Sequence, residues 1–371
     1  MQEKINVRSG LIISLSVSTC AIILLLYLTA TRKTWQEIAK IHPVFIVIAV
    51  LLVFLKWASS CLRAELLIKA SGEEMSLGKI SKAVLAGGFA GSVTPFHAAG
   101  IPAQVYFFYK YGLTAPTSLA VVTAGATLSV FCFTALAPAI ILTGAKVLHA
   151  GFGFRTALVG AGIGAFIVLI IFFYSVIEPE KLSKTLYERS PEFLRKNERY
   201  LKIQTSFLEG AKKFQISFRT IAKCGVRTTL EAVLLTLLFW LAGLLIIPII
   251  ILGMGYPEYF FKAFLAQTLA AFLLPFAPVP GESGFAEFTF SGLLATFLPK
   301  RLIGVVTLSW RFFTFYLTLL FMGASFLLVL KDIEEMGNKN VELASEKSLA
   351  CSKELSHDFE TDEDINRTGP D

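Results

Sequence analysis

The sequence is poor in the residues that build metal centres, disulfide frameworks and acid–base active sites. Its 371 residues include five cysteines and four histidines, scattered singly and without a CxxC motif, and no aspartate precedes Asp332. The motifs GxSxG, HExxH and GxxxxGK, which indicate nucleophilic, zinc and phosphate-binding chemistry, are also missing. We therefore predict no metal, no cofactor, no disulfide and no enzymatic activity.

Long polar segments are equally scarce. Hydrophobic residues make up 55% of the chain, including 33 phenylalanines, and the two longest non-apolar stretches are residues 178–228 and 331–371. Neither stretch is long enough for a soluble catalytic domain, whereas several apolar runs reach the roughly 20 residues that cross a bilayer. The sequence therefore predicts an all-α, polytopic integral membrane protein. We expect the first apolar run to remain as a helix and not to be a cleaved signal peptide.

The apolar runs predict about six full crossings and two shorter helical hairpins. The predicted crossings are residues 11–30, 44–62, 117–143, 154–177, 229–252 and 302–330. The hairpins are expected at residues 80–111 and 259–298. Both hairpins are predicted to be re-entrant, so that each enters and leaves the membrane at one face.

Charge divides the chain into a membrane domain and a tail. Residues 1–330 contain 29 Lys and Arg against 15 acids, and residues 331–371 contain 5 against 12. We predict that the acidic tail is disordered and cytosolic. Residues 178–228 hold twelve Lys and Arg against six Glu, which places this connection, and with it both termini, in the cytosol.

The 178–228 connection also interleaves aromatic and basic residues along a helical pattern. This composition suits an anionic lipid surface, and a merely solvated cytosolic loop is the alternative. Nucleic-acid binding is not predicted, because the segment contains no recognition module and is tethered between two crossings.

Two stretches inside apolar sequence cannot continue as helices. Residues 272–287, FLLPFAPVPGESGFAE, contain Pro275, Pro278 and Pro280, and residues 94–104 read TPFHAAGIPAQ. Proline removes a backbone donor, and non-helical backbone at membrane depth survives only inside protein or beside a watery cavity. We predict that these stretches are the tips of the two hairpins, with Pro95-Phe96 answering Pro275-Phe276. Ordinary turns in surface loops are the alternative.

The predicted crossings and hairpins form an inverted-topology repeat. In each half, a crossing is followed by a hairpin and then by another crossing, and the two halves have opposite orientations. Inverted repeats with broken elements that meet near the membrane midplane are typical of alternating-access transporters. We therefore expect the two tips to approach each other.

Cationic residues lie inside two predicted crossings. Lys56, Ser59, Ser60 and Arg63 recur at helical spacing, so they form one polar stripe. Charged groups at this depth indicate a functional site, although both cations can alternatively snorkel to the interface. We expect Lys56 to face the first hairpin.

Arg311 lies about ten residues inside the last predicted crossing, next to Trp310 and on a stripe with Thr307, Thr314 and Thr318. A guanidinium at that depth requires a partner. The closest carboxylates in sequence are Glu282 and Glu287, and we predict a Glu287–Arg311 ion pair. The pair either holds the hairpin against the helix or contacts substrate, and the sequence leaves both roles open.

Four segments together resemble the membrane proteins related to the transmembrane, lipid-flipping part of lysylphosphatidylglycerol synthase. They are CLRAELLIKA around Arg63, TPFHAAGIPAQVYFFYKYGL at 94–113, VPGESGFAEFTF at 279–290 and SWRFFTFY at 309–316. The resemblance covers roughly residues 10–330. His97 and Glu282 depart from the common family pattern, and either could alter the head group that is recognised.

The resemblance implies a lipid flippase in a prokaryotic plasma membrane, without the cytosolic aminoacyltransferase domain of the bifunctional relatives. It would move a phospholipid or an aminoacyl-phosphatidylglycerol-like head group between leaflets, with membrane lipids as partners and a homo-oligomer as one possible assembly. The expected substrate-binding residues are Lys56, Arg63, Thr94, Pro95, His97, Gly100, Gln104, Pro280, Gly281, Glu282, Gly284, Glu287, Trp310 and Arg311.

Three other functions stay open at this point. The first is a secondary transporter of a small soluble solute, which would share the inverted repeat but would have a cavity closed to lipid. The second is a membrane-embedded transferase with a lipid-linked donor. The third is a subunit that scaffolds a separate enzyme.

Overall fold

The structure is a computed structural model that describes residues 41–147, 225–277 and 279–337, together with residues 167, 215, 219 and 223. Two predicted crossings, 11–30 and 154–177, lie outside the described residues. So do most of the 178–228 connection, Pro278 and the tail beyond residue 337. The chain divides into two compact units, residues 1–326 and 327–371. Every regular element in the described part is helical, as predicted.

Within residues 41–147, the described part of the first half, there are four α-helices and one 3₁₀ turn. They are α1 (Pro43–Ala70), α2 (Leu77–Ser92), the turn Pro95–His97, α3 (Gly100–Lys110) and α4 (Ala115–Val147). Helix α1 begins where the sequence favours a start. The His42 side chain accepts a hydrogen bond from Val44 N at 3.4 Å, and Pro43 takes the first helical position, where its missing N–H costs nothing.

The second half repeats this order. Helix α5 (Val226–Gly253) is followed by a 3₁₀ turn (Pro257–Tyr259), helix α6 (Phe260–Leu273), two further 3₁₀ turns (Leu274–Phe276 and Pro280–Glu282) and helix α7 (Phe285–Ala295). Helix α8 runs over Lys300–Gly337 and contains a π-helical turn at Phe312–Tyr316.

Four described helices are long and apolar enough to cross a membrane. They are α1, α5, α8 and the Ala115–Phe133 part of α4. These helices correspond to the predicted crossings 44–62, 229–252, 302–330 and 117–143. The two shorter predicted hairpins coincide with the helix pairs α2–α3 and α6–α7, whose members pack against each other.

The two halves match in element length as well as in order. Helices α1 and α5 each have 28 residues, and α3 and α7 each have 11 residues. The first helices of the two halves also run antiparallel. His42 N, before α1, donates to Gly253 O, at the end of α5, and Arg63 near the end of α1 bonds Thr236 near the start of α5. Equivalent helices in opposite directions are what an inverted repeat predicts.

Buried aromatic side chains connect α4, α5 and α6. The ring of Phe133 stacks on Trp240 at 4.0 Å between centroids and on Phe272 at 4.2 Å. The Trp240 indole N–H, which needs an acceptor when it is buried, donates to Ser129 O at 3.2 Å. This stack packs the second half of the chain against α4.

Glycine allows the arms of the first hairpin to approach closely. A Cβ added at Gly87 of α2 would lie 2.7 Å from the Cβ of Gln104 in α3, and Gly91 and Gly100 face each other, with 3.4 Å from an added Cβ to the opposite Cα. The backbones of α2 and α3 therefore cross at a distance that only glycine permits. This packing explains why α2 and α3 form a hairpin even though a broken tip separates them.

We expect Gly87→Ala to destabilise the protein by about 1–3 kcal/mol, because the new methyl group must push α3 away from α2. Gly292→Ala in α7 is the matched control, since an added Cβ there has no heavy atom within 4 Å. The control should be neutral or slightly stabilising, because alanine favours the helix over glycine. Denaturant titration of the purified variants measures both changes, and equal stability of the two variants would contradict the packing role.

Candidate functional site

The two hairpins end in tips of unusual backbone conformation. We define the first tip as residues 94–99 and the second tip as residues 279–284. In the described part of the chain, three non-glycine residues have positive φ, and all three lie in the tips: Phe96 (55°), His97 (52°) and Glu282 (56°). Such backbone costs free energy and clusters at functional sites. The two tips are therefore candidates for the functional site.

The first four residues of each tip, 94–97 and 279–282, have the same backbone course, and the last two residues differ. Thr94 and Val279 are extended (φ −121°, ψ 146° and φ −120°, ψ 144°), a proline follows each, and Phe96 and Gly281 are left-handed (55°, 20° and 61°, 16°). Pro95 therefore corresponds to Pro280. The sequence prediction that Pro95-Phe96 answers Pro275-Phe276 is wrong, because Pro275 belongs to a separate 3₁₀ turn before the second tip.

The two tips touch each other, as predicted. His97 Nε2 lies 3.1 Å from Glu282 Oε1, and the two side chains are 46% and 18% exposed. Each of these residues is the third residue of its 3₁₀ turn, so equivalent positions of the two halves meet. Residues that contact their own counterparts lie at a pseudo-two-fold axis. An inverted repeat predicts such a contact between equivalent positions.

The predicted ion pair between Glu287 and Arg311 is confirmed. Arg311 Nε donates to Glu287 Oε1 at 2.7 Å, and the two side chains are 3% and 1% exposed. Arg311 Nη2 also donates to Gly281 O, and the other carboxylate oxygen of Glu287 accepts from Gly284 N at 2.7 Å. This buried pair thus fixes Gly281 and Gly284 of the second tip to α8. Of the two roles that the sequence left open, these bonds favour the structural one.

The surroundings of Arg311 add to this fixation. Its guanidinium lies over the Phe315 ring at 4.7 Å, and Trp310, which is buried, packs on Phe290 with the centroids 4.3 Å apart. The π-helical turn begins directly after Arg311. Such turns often occur at functional sites, and this one widens α8 where the second tip docks.

Arg63 occupies a different environment. It is buried, and its Nη1 donates to Ser129 Oγ at 2.7 Å and to Thr236 Oγ1 at 3.0 Å, between helices α1, α4 and α5. Its guanidinium lies 5.8 Å from the Phe239 centroid. Among the described residues no carboxylate pairs with it, and the acid closest in sequence, Glu65, bonds Lys69. Arg63 does not snorkel to the interface, which corrects that interpretation.

Lys56 lies near Arg63 and is half-buried. Its Nζ is 5.0 Å from the Phe239 centroid, its side chain packs on Gly243 of α5, and Glu282 lies within electrostatic range of it. The prediction that Lys56 faces the first hairpin is therefore wrong. The α1 surface that holds Lys56 packs along α5, as the antiparallel pairing of these two helices requires.

Lys56 and Phe239 are also equivalent positions. Each is the fourteenth residue of its 28-residue helix, and they touch each other as His97 and Glu282 do. Two independent pairs of equivalent positions thus contact each other, as is expected at the pseudo-two-fold axis of an inverted repeat. Glu282 interacts with Lys56 electrostatically, so charged groups from both pairs form one cluster along this axis.

The remaining predicted site residues belong to the tips or to their packing. The Thr94 hydroxyl donates to Ala90 O and accepts from Ala99 N, so it caps α2 and closes the first tip. Gly100 and Gln104 pack against α2. Pro95 is exposed and Pro280 half-buried.

Sequence reasoning missed four residues of this region. Ser129, Thr236 and Phe239 surround Arg63, and buried Gln267 of α6 bonds two backbone groups of α5, Gly243 O at 2.7 Å and Ile247 N at 3.3 Å. An unbroken helix would pair those two groups with each other. Pro248 inside α5 indicates an interrupted helix whose free backbone groups need a polar partner, and this was the sequence signal for a residue such as Gln267. No sequence signal distinguishes Ser129 or Thr236 from other small polar residues.

The sequence is similar to a family of membrane proteins and to a known member from another organism. The family model described as the lysylphosphatidylglycerol synthase TM region matches residues 11–321. A relative from Archaeoglobus fulgidus, named UPF0104 membrane protein, is 28% identical over 321 residues, which cover 85% of this chain and 94% of that protein. The matched region includes both hairpins, both cations of α1 and the Glu287–Arg311 pair. The chain therefore belongs to the family of the lysylphosphatidylglycerol synthase transmembrane region.

Proposed function

We propose that this protein is a lipid translocase, and not an enzyme, that moves a phospholipid or a lipid-linked head group between leaflets. The observation that carries the proposal is Arg63, a buried guanidinium whose described partners are two neutral hydroxyls. A buried charge is costly unless it is compensated, and a lipid phosphate is the anion that a membrane supplies. Family membership supports the same function.

Helix α1 has a packed polar side that contains this charge and an exposed apolar side suited to lipid. One side of α1 holds Lys56, Ser59 and Arg63 against neighbouring helices, whereas another side exposes large apolar residues. The exposed residues are Leu51, Phe54, Leu55 and Leu62. In this proposal acyl chains stay on the exposed side while the head group reaches the cations, because the two surfaces are separated by only one helix diameter.

We further propose that both hairpins are re-entrant and that the tips form a midplane barrier. The inverted repeat would then have two related states, in which the cation cluster opens to one leaflet or the other. The membrane is proposed to be the plasma membrane, with both termini in the cytosol and the basic 178–228 connection on an anionic lipid surface. The two tips would have to part in each cycle.

The test is reconstitution of the full chain in liposomes with labelled lipids, scored by the accessibility of the label in each leaflet. We expect Lys56→Met to insert and fold but to move anionic lipids several times more slowly, because loss of a desolvated charge is often tolerated by the fold. Lys56→Arg should retain part of the rate, since its charge remains but its geometry differs.

Lys69→Met is the matched control, because Lys69 lies at the exposed end of the same helix and pairs with Glu65. It should translocate lipid at the native rate. If no lipid moves faster than in protein-free vesicles while a soluble solute does, the proposed function is wrong. Lower thermal stability of Lys56→Met with unchanged transport would make Lys56 a structural residue.

A further inference from the structure

We propose that the site selects lipids whose head group has a net negative charge and discriminates against aminoacylated phospholipids. Lysyl-phosphatidylglycerol, with one phosphate and two ammonium groups, is such a disfavoured lipid. The inference rests on the proposed translocase function and names its substrate class. It follows from the balance of charged groups around the pseudo-two-fold axis.

The Glu287–Arg311 pair contributes no net charge and has no free acceptor. Both carboxylate oxygens of Glu287 are engaged, one by Arg311 and the other by Gly284 N. The side chain is 1% exposed. An ammonium group of a substrate could bind this carboxylate only by displacing Arg311, and a guanidinium left unpaired in the interior would cost several kcal/mol. Glu287 is therefore unsuitable as a binding site for a cationic head group.

Glu282 is also balanced by groups of the protein. Its carboxylate contacts His97 at 3.1 Å and interacts electrostatically with Lys56. Lys56 and Glu282 have opposite formal charges and offset each other. A lysyl ammonium group would thus compete with two basic residues of the protein for one carboxylate.

The charge of Arg63 is left uncompensated once the charges of Glu287 and Arg311, and of Lys56 and Glu282, offset each other. It pairs with no described carboxylate, and its two hydroxyl partners are neutral. The Ser129 hydroxyl accepts from Arg63 and keeps its own proton for a further acceptor, so guanidinium and hydroxyl together present donors. This chemistry binds a phosphate oxygen. The described charged groups of the cluster therefore carry an excess of one positive charge, which a phosphodiester with no ammonium group would neutralise.

The decisive experiment compares head groups in vesicles that contain the full-length protein. Labelled phosphatidylglycerol, phosphatidylcholine and lysyl-phosphatidylglycerol are assayed in parallel, with uptake of inorganic phosphate as a fourth arm. We expect phosphatidylglycerol to move at least about tenfold faster than lysyl-phosphatidylglycerol, because a unit charge near a buried guanidinium changes binding by more than a factor of ten. Phosphatidylcholine should fall between them.

Arg63 variants assign the selectivity to this residue. Arg63→Gln should reduce the preference for phosphatidylglycerol to less than about twofold. Arg63→Lys should keep the direction of the preference at a lower rate, since its charge remains but its geometry differs. A second measurement does not depend on the folding of a variant. Phosphatidylglycerol added in detergent should raise the melting temperature of the native protein, and lysyl-phosphatidylglycerol should raise it less.

The possible failures are distinguishable. Faster movement of lysyl-phosphatidylglycerol, or equal movement of both lipids, would overturn the charge selectivity and leave the translocase function intact. Movement of no lipid above protein-free vesicles would overturn the proposed function itself. Uptake of inorganic phosphate without lipid movement would assign the Arg63 cluster to a soluble anion and would overturn both proposals.

Discussion

Replacement of Glu287 by Gln should destabilise the protein by about 3–5 kcal/mol, because the guanidinium of Arg311 would stay buried without its counter-charge. Glutamine has nearly the same shape and can still accept from Gly284 N. The loss therefore measures the charge and not the packing. Unfolding in detergent by denaturant titration gives the free energy, and lipid movement in vesicles shows whether the folded fraction remains active.

The exposed pair Arg227–Glu231 is the matched control, with side chains 92% and 42% exposed. Glu231→Gln should leave the unfolding midpoint unchanged, since exposed pairs contribute little. The double variant Glu287→Leu/Arg311→Met should recover most of the lost stability, because apolar residues often replace a buried pair without cost. A Glu287→Gln protein of native stability that moves no lipid would show that Glu287 contacts substrate.

A cross-link between the two tips should stop lipid movement completely. His97→Cys/Glu282→Cys, treated with a short thiol-reactive bis-methanethiosulfonate, would hold together the two residues that touch in this structure. Alternating access requires the two halves to move relative to each other, and a covalent link at the axis prevents that motion. We expect the rate to fall to that of protein-free vesicles and to return when a cleavable link is reduced.

The control places the same link within one half of the chain. Glu73 and Thr114 are in contact at the other end of the first hairpin, with Thr114 Oγ1 3.3 Å from Glu73 Oε1. Glu73→Cys/Thr114→Cys should remain active after cross-linking. Both proteins are made with the native cysteines Cys20, Cys61, Cys132, Cys224 and Cys351 replaced. Native activity of a fully linked tip pair would show that the tips do not part during transport.

The two tips differ in how firmly they are held, which bears on which of them moves. The second tip is fixed to α8 by Arg311 through Gly281 and Glu287. The first tip is closed locally by Thr94, and its residues 95–98 are exposed. We therefore expect the first hairpin to move against a second hairpin that stays docked. The tip-to-tip link tests this motion directly.

Apolar run length and proline placement were sufficient to predict the helical class, four described helices long and apolar enough to cross a membrane, and the two shorter helix pairs. These features are local, because about 20 apolar residues must span a bilayer and proline must interrupt a helix wherever it occurs. The Glu287–Arg311 pair was also predictable. A guanidinium inside a crossing requires an acid, and few acids lie nearby in the sequence.

Partners that are distant in sequence were decided only by tertiary packing. Arg63 bonds Ser129 and Thr236, which lie on two other helices. The correspondence of Pro95 with Pro280 was not apparent, because local sequence similarity pointed to Pro275 instead. The contact of Lys56 with Phe239 was not apparent either, because the two residues lie on different helices. The physical reason is that a pseudo-two-fold axis brings equivalent positions together in space, whereas the sequence records only their order along the chain.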